Sequence, residues 1–375
     1  MLKAYQYRLY PTKGQISILN RTFDLCRKVY NNTLALRRDS WNYDQKPLTF
    51  FDTTKELTRW KKEFPELYTI NAQVLQNVQS RVDLAFKAFF RRVKNGVSPG
   101  YPRFKSVGRY RSITYPQSGF KIDIQNQTIF ASKIGKIKAI IHRPYNGKIK
   151  TMTIKCTSNK KWYVFFVVEQ DTIIHEHVGD EVTGIDLGLT TFAMHSNGEC
   201  IENPRFFKTD ERALANAQRK VSKEEDGSSE QKTRRRVVSR IHERIANRRK
   251  NFIHQESRKL VDRFKIIVFE NLKIRDIQQT SKLTKPISDA SWGMMIRTTC
   301  SKAEEAGSKV VLVDPKNTTQ FCSRCGSYVR KELSNRIHSC PLCGLVMDRD
   351  QNAAINILRL GLQSLSGKQN RSPCL

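Results

Sequence analysis

Three acids and four cysteines carry the chemistry open to this sequence. Asp186 sits inside the apolar stretch GIDLG, Glu270 closes the run IIVFE, and Asp350 opens the segment DRDQNAAINIL. A carboxylate among apolar residues is costly unless a cation compensates it. A pair of Mg2+ (or Mn2+) ions held by a few carboxylates does so, and can activate water and stabilise the leaving oxygen of a phosphodiester. One buried acid is commonly a satisfied structural group; three in one basic chain point to a metal-dependent nuclease. Asp348 competes with Asp350, and the order within DRD leaves that choice open. These acids lie far apart in sequence, so only the fold can bring them together.

The cysteines Cys322, Cys325, Cys340 and Cys343 form two CxxC pairs, each followed by a glycine, Gly326 and Gly344. Such paired knuckles suit four thiolates around tetrahedral Zn2+. Four cysteines leave no open coordination position, so the expected metal is structural. His338 is a weaker candidate ligand, and His175-Glu176-His177 reads as linker. There is no GxxxxGK[ST] loop, no GxSxG elbow and no HExxH helix.

The elements that must position these groups read in order along the chain. Residues 4–10 alternate as a strand, and residues 26–95 are mostly helical, with Leu75, Val78, Val82 and Phe86 at helical spacing. Residues 96–119 mix Gly and Pro with Arg103, Lys105, Arg109 and Arg111, interleaved with Tyr101, Phe104, Tyr110 and Tyr115. Rings beside cations suit phosphate contact and base stacking. Residues 120–170 read as short antiparallel strands of a β-barrel or sandwich, which the first strand could complete, with Asn146-Gly147 as a hairpin turn. A strand and hairpin follow over 182–204. A basic helical hairpin covers 210–264, with its turn at 223–229. There Arg236, Arg240, Arg244 and Arg248 form an i, i+4 stripe with few acids nearby, as a helix that tracks phosphates would. Buried strands are expected at 264–272 and 309–315. Helices are expected at 288–307, capped by Ser288 or Asp289, and at 348–361.

The chain has 375 residues, with 67 Lys plus Arg against 35 Asp plus Glu, a formal net charge of +32. That imbalance points to a polyanionic partner, and nucleic acid fits best. No apolar run reaches the roughly 20 residues that span a bilayer, and the N-terminus shows no signal-peptide core. Membrane and secreted classes are not expected. The odd cysteine count of nine fits a reducing interior better than a disulfide framework.

GIDLGLTTFA, IVFENLKIRDI, the CSRCG and CPLCG knuckles and DRDQNAAINIL, in that order, resemble the hallmark blocks of the transposon-encoded TnpB family of the IS200/IS605 type, relatives of the Cas12 nucleases. ISDASWGMMI and GYPRFK are similar to that family too. The resemblance implies a compact RNA-guided DNA endonuclease of multidomain α+β architecture. It implies a β-barrel wedge domain (1–25 and 109–178) interrupted by a helical recognition domain (26–108). It implies a RuvC-like, RNase H-fold nuclease domain (179–315 and 347–365) with an inserted zinc ribbon (316–346), and a flexible tail (366–375). By the family pattern Asp186, Glu270 and Asp350 are the catalytic Mg2+ ligands. The implied partners are a guide RNA from the transposon end and double-stranded target DNA beside a short motif read by the protein. Gln76 and Tyr115 are candidate readers of that motif. The expected setting is a monomer in the prokaryotic cytoplasm, on the nucleoid. Two rivals remain at this stage: a guide-dependent DNA-binding regulator that does not cut, and an unguided RNase H-fold nuclease or resolvase.

Overall fold

The computed structural model describes residues 1–171, 177, 179–274, 276–277, 283–332 and 334–367. The chain divides into two bodies, residues 1–172 and 173–375. Most of the expected tail (366–375), and His175 and Glu176 of the expected linker, lie outside the described residues. No described helix is long and apolar enough to cross a membrane.

In the first body β1 (Leu2–Tyr10) buries Tyr5, Tyr7 and Leu9 on alternate positions. Helix α1 (Lys13–Asp44) starts at a Thr12–Gln15 capping box and runs unbroken for 32 residues. Helices α2 (Phe50–Glu63) and α3 (Ala72–Lys94) follow. Six strands come next: β2 (Ser112–Tyr115), β3 (Phe120–Asp123), β4 (Thr128–Ala131), β5 (Gly135–Ile140), β6 (Lys148–Cys156) and β7 (Trp162–Glu169). The seven-stranded sheet has the order β2-β6-β7-β1-β5-β4-β3, antiparallel throughout. The first strand therefore lies at its centre, as the alternation suggested. Asn146-Gly147 is not the turn of a β5–β6 hairpin, because β7 and β1 lie between those two strands in the sheet. Helices and sheet share one apolar core, in which Leu25 and Val78 join Tyr7, Ile137 and Phe166.

The second body centres on five strands: β8 (Val182–Leu187), β9 (Thr191–His195), β10 (Cys200–Glu202), β11 (Ile266–Glu270) and β12 (Lys309–Val313), in the order β10-β9-β8-β11-β12. Strands β8, β11 and β12 are parallel, while β9 and β10 fold back antiparallel. Between them come α4 (Phe206–Ser222) and α5 (Ser229–Arg263), the expected basic hairpin. The single helix expected over 288–307 is two, α6 (Thr284–Ala290) and α7 (Trp292–Ala306), with Ser291 left-handed at φ 56° between them. Asp289 does not cap α7. It accepts the Phe207 N–H at 2.8 Å and the Arg249 guanidinium at 2.7 Å.

One sheet face, with Ile185, Ile267 and Phe269, packs on α5, α6 and α7. The opposite face, with Val268, Val311 and Val313, packs on Ile357 of the last helix, α8 (Arg349–Ser366). The cysteine segment, with the small hairpin β13 (Ile337–Ser339) and β14 (Val346–Asp348), lies between β12 and α8 in the chain.

Candidate active site and metal centre

The carboxylates meet through strand register and helix contact. Val268 pairs in register with Gly184, and Phe269 with Ile185, so one step further Glu270 stands beside Asp186. Side chains alternate along a strand. Since Ile185 and Phe269 face α5 to α7, Asp186 and Glu270 face α8. Helix α8 touches β8 where there is no side chain: a Cβ on Gly184 would lie 2.2 Å from the Ala354 carbonyl oxygen. It touches β11 at Gly361, where a Cβ would lie 2.4 Å from Val268. Asp350, one turn before Ala354, is thereby carried toward Asp186, two residues beyond Gly184.

The electrostatics follow from this crowding. Burial, then the charges of Glu270 and Asp350, push the Asp186 pKa up to about 8. Burial also raises Glu270, which is 8% exposed, against the Thr318 hydroxyl that donates to it at 2.5 Å. Asp350 is held by Arg349, whose Nε and Nη2 donate to its Oδ1 at 3.0 and 2.9 Å, and by Arg336 at 3.5 Å. Arg336 also donates to the Thr190 hydroxyl at 2.8 Å. Asp348 is taken up elsewhere, for it caps α8 by accepting the N–H groups of Asp350 and Gln351 at 2.8 and 3.0 Å. Asp186 and Asp350 line a cavity of about 790 Å3, walled also by Thr190, Asn203, Lys285 and Arg336. The three acids do not form a cluster with all ligand oxygens within 4.8 Å; among the described residues only the cysteines do. A pair of hard cations about 4 Å apart needs the wider spread, and the all-oxygen donor set fits such ions.

The four cysteine sulfurs lie within 4.8 Å of one another. Cys322–Cys343 and Cys325–Cys340 are each 3.6 Å apart. A zinc tetrahedron with Zn–S near 2.3 Å has edges of about 3.8 Å, so the donor set fits. The N–H groups of Gly326 and Gly344 donate to the carbonyls of Cys322 and Cys340, both at 2.9 Å, closing the two knuckles. The Ser327 hydroxyl lies 3.0 Å from the Cys325 sulfur and 3.3 Å from that of Cys340, and it lowers both thiol pKa values. His338 is buried in β13 with Lys331 against its Nδ1, and it is not part of the four-sulfur cluster. Cys322→Ser is expected to lower zinc stoichiometry and to cost about 4 kcal/mol of stability. Elemental analysis with thermal melting checks this, and full zinc content in the variant removes the metal assignment.

The basic residues have varied surroundings. Arg236 and Arg240 are exposed, with no ion pair among the described residues. Arg244 and Arg248 instead reach Asp210 of α4 at 2.5 and 3.5 Å, an acid from the partner helix that the local charge count missed. Ile241 and Ile245 pack on Leu214 and Ala217. In the first body Arg103, Arg109, Arg111 and Gln76 are exposed. Lys105 is half-buried, its backbone pinned by Asn31 at 2.8 and 3.0 Å. Tyr115 corrects the expectation of a motif reader: it is 2% exposed and its hydroxyl donates to the Ser132 carbonyl, so it packs the core. Tyr110 is buried as well, leaving Tyr101 and Phe104 as the exposed rings of that segment.

Sequence reasoning passed over Thr318, Asn352, Asn356, Arg336 and Arg349. A signal was present for the asparagines: both fall within the apolar segment NAAINIL, one turn apart, and both are buried.

A strongly basic chain with carboxylates gathered at one end of a mixed sheet and a four-cysteine cluster has the donor sets for metal ions and the charge for nucleic acid. Residues 165–281 match a family model described as a probable transposase, and residues 292–357 match a Cas12f1-like TNB domain. Residues 1–46 match a model described as a helix-turn-helix domain, although here they form one strand and one unbroken helix. A putative RNA-guided DNA endonuclease of Streptomyces pristinaespiralis is 34% identical over 96% of this chain and 89% of its own length. The putative RNA-guided DNA endonuclease InsQ of Escherichia coli K12 is 29% identical over 96% of this chain and 92% of its own. The chain belongs to the TnpB family of putative RNA-guided DNA endonucleases. Its α+β fold resembles the solved mini-RNA-guided endonuclease CRISPR-Cas phi3, with a TM-score of 0.52 at 9% identity over 100% of this chain and 94% of that one.

Proposed function

We propose that this protein is an RNA-guided endonuclease that cleaves double-stranded DNA beside a short motif. The carrying observation is the convergence of Asp186, Glu270 and Asp350 on one face of the second body's sheet, where burial and then the neighbouring carboxylates raise the Asp186 pKa. The strand order and directions match an RNase H-type core, which supports a RuvC-like reading of residues 179–315 and 347–365, with 316–346 as a zinc ribbon. The seven-stranded sheet supports a wedge domain from 1–25 and 109–178, and helices α1 to α3 support a recognition domain over 26–108. In this reading the protein acts as a monomer on the prokaryotic nucleoid.

Asp186, Glu270 and Asp350 would hold two Mg2+ ions, which when bound supply water activation and charge neutralisation at the leaving oxygen. Asp186 must lose its proton to bind a cation, and Arg349 and Arg336 hold Asp350 in place. Sequence would be read by base pairing, while the protein grips an A-form heteroduplex through its phosphates. Exposed Arg103, Arg109, Arg111, Arg236 and Arg240 suit that grip, as do exposed Arg244 and Arg248, which also pair with Asp210, and half-buried Lys105; Gln76 suits motif reading.

The test is incubation of the protein, with and without its co-purified RNA, with Mg2+ and a plasmid library randomised beside the target. RNA-dependent cuts are expected. Cutting without RNA favours the unguided nuclease, and guided binding without cutting favours the regulator. Arg236→Ala with Arg240→Ala is expected to weaken nucleic-acid binding and flatten the slope of log affinity against log salt by about 2. An unchanged slope means that this part of the stripe meets only water.

A further inference from the structure

Asn352 and Asn356 clamp the chain segment that leads into the cysteine knuckle. The Asn352 side chain donates to the Phe321 carbonyl at 2.8 Å and accepts the Ser323 N–H at 2.9 Å. Asn356 donates to the carbonyls of Thr318 and Phe321 at 2.9 and 2.7 Å. The helix that carries Asp350 thus fixes residues 318–323, and Cys322 lies among them. At the head of this segment Thr318, 3% exposed, donates its hydroxyl to Glu270 Oε1 at 2.5 Å. Glu270 ends β11 and points to the same sheet face as Asp186.

We infer that Thr318 is the positioning residue for Glu270, and that the four-cysteine knuckle, through the segment clamped by Asn352 and Asn356, sets the geometry of the carboxylate site as well as folding its own loop. The inference rests on the nuclease reading above. A buried carboxylate at the end of a flexible side chain has several rotamers. One oxygen fixed by a buried hydroxyl leaves the other available to a cation. Without that donor, Oε1 is a buried acceptor that must turn to find another partner. Groups that orient metal-binding carboxylates in this way are typically worth about 10–100-fold in metal affinity.

The experiment uses the protein–RNA complex and Mn2+ as a paramagnetic probe of occupancy, read alongside DNA cleavage. Thr318→Val removes the hydroxyl at nearly constant shape. It is expected to raise the Mn2+ concentration for half-saturation about 10–100-fold, with RNA affinity and zinc content unchanged and cleavage recovering as metal is added. Thr318→Ser keeps the hydroxyl and is expected to keep the wild-type metal dependence. Wild-type Mn2+ binding in Thr318→Val overturns the inference, as does a Thr318→Ser variant as impaired as Thr318→Val. Should Thr318→Val not fold, zinc withdrawal from the wild-type complex replaces it: weakened Mn2+ binding supports the coupling, and unaltered binding overturns it. Asp186→Ala in the same titration separates the two levels. If it loses Mn2+ binding while Thr318→Val does not, only Thr318 is misassigned. If wild type and Asp186→Ala bind alike, the carboxylate site itself is misassigned and the inference falls with it.

Discussion

Asp186→Asn is expected to lower DNA cleavage by about 10^3-fold or more while leaving RNA and DNA binding near wild type. The substitution keeps size and shape but removes the charge that the proposed site would offer its cations, and cation-mediated charge stabilisation is worth several kcal/mol in the transition state. It also carries a stability signature that a merely structural acid lacks. Burial and the Glu270 and Asp350 charges raise the Asp186 pKa to about 8 in the folded chain. A carboxyl with a raised folded pKa binds its proton more tightly when folded, so the metal-free protein loses stability as pH rises from the ordinary carboxylate range through about 8. Asp186→Asn removes this loss. Its advantage over wild type in metal-free melting temperature is expected to be large at about pH 9 and much smaller at about pH 5. Thermal melts in chelator at the two pH values, beside a cleavage assay, check both halves. Retained cutting, or a melting shift independent of pH, counts against Asp186 as an ion ligand in a cluster of like charges.

What the sequence made legible was whatever has a local signature. The isolated acids, the paired knuckles, the i, i+4 arginines and the alternation of β1 are all readable within a short stretch of chain. What it hid is contact between distant segments. The charge count around Arg244 contained almost no acid, yet Asp210, on the other helix of the hairpin, takes both Arg244 and Arg248. Tyr115 lies in a stretch where rings and cations alternate, but its register in β2 turns it into the core, as a strand's two-residue period requires. The choice between Asp348 and Asp350 needed the helix start: Asp348 is spent on the first-turn N–H groups of α8, which leaves Asp350 toward Asp186. Asp289, expected as a cap, is instead held by Arg249 and the Phe207 N–H from elsewhere in the body. In each case the residue type was informative, and its partner could be identified only in three dimensions.

Gly184→Ala should therefore damage the site too, although glycine carries no chemistry. Its added methyl would stand 2.2 Å from the Ala354 carbonyl oxygen and 2.5 Å from the Leu358 nitrogen, both backbone atoms of α8 that no rotamer change can move. The helix must shift away from β8, and Asp350 and Asn356 move with it. Overpacking of this kind costs about 3 kcal/mol, and a displacement near 1 Å of a catalytic group costs about 10^2-fold in rate. The expected outcome is a lower unfolding midpoint in denaturant together with at least that loss of cleavage, and weaker Mn2+ binding because Asp350 moves away from Asp186. Gly14→Ala is the control: it lies in the first turn of α1, has nothing within 4 Å of its added methyl, and should be neutral or slightly stabilising. If Gly184→Ala behaves like Gly14→Ala in both stability and cutting, α8 does not bring the third acid to the sheet through that contact, and another element must carry it there.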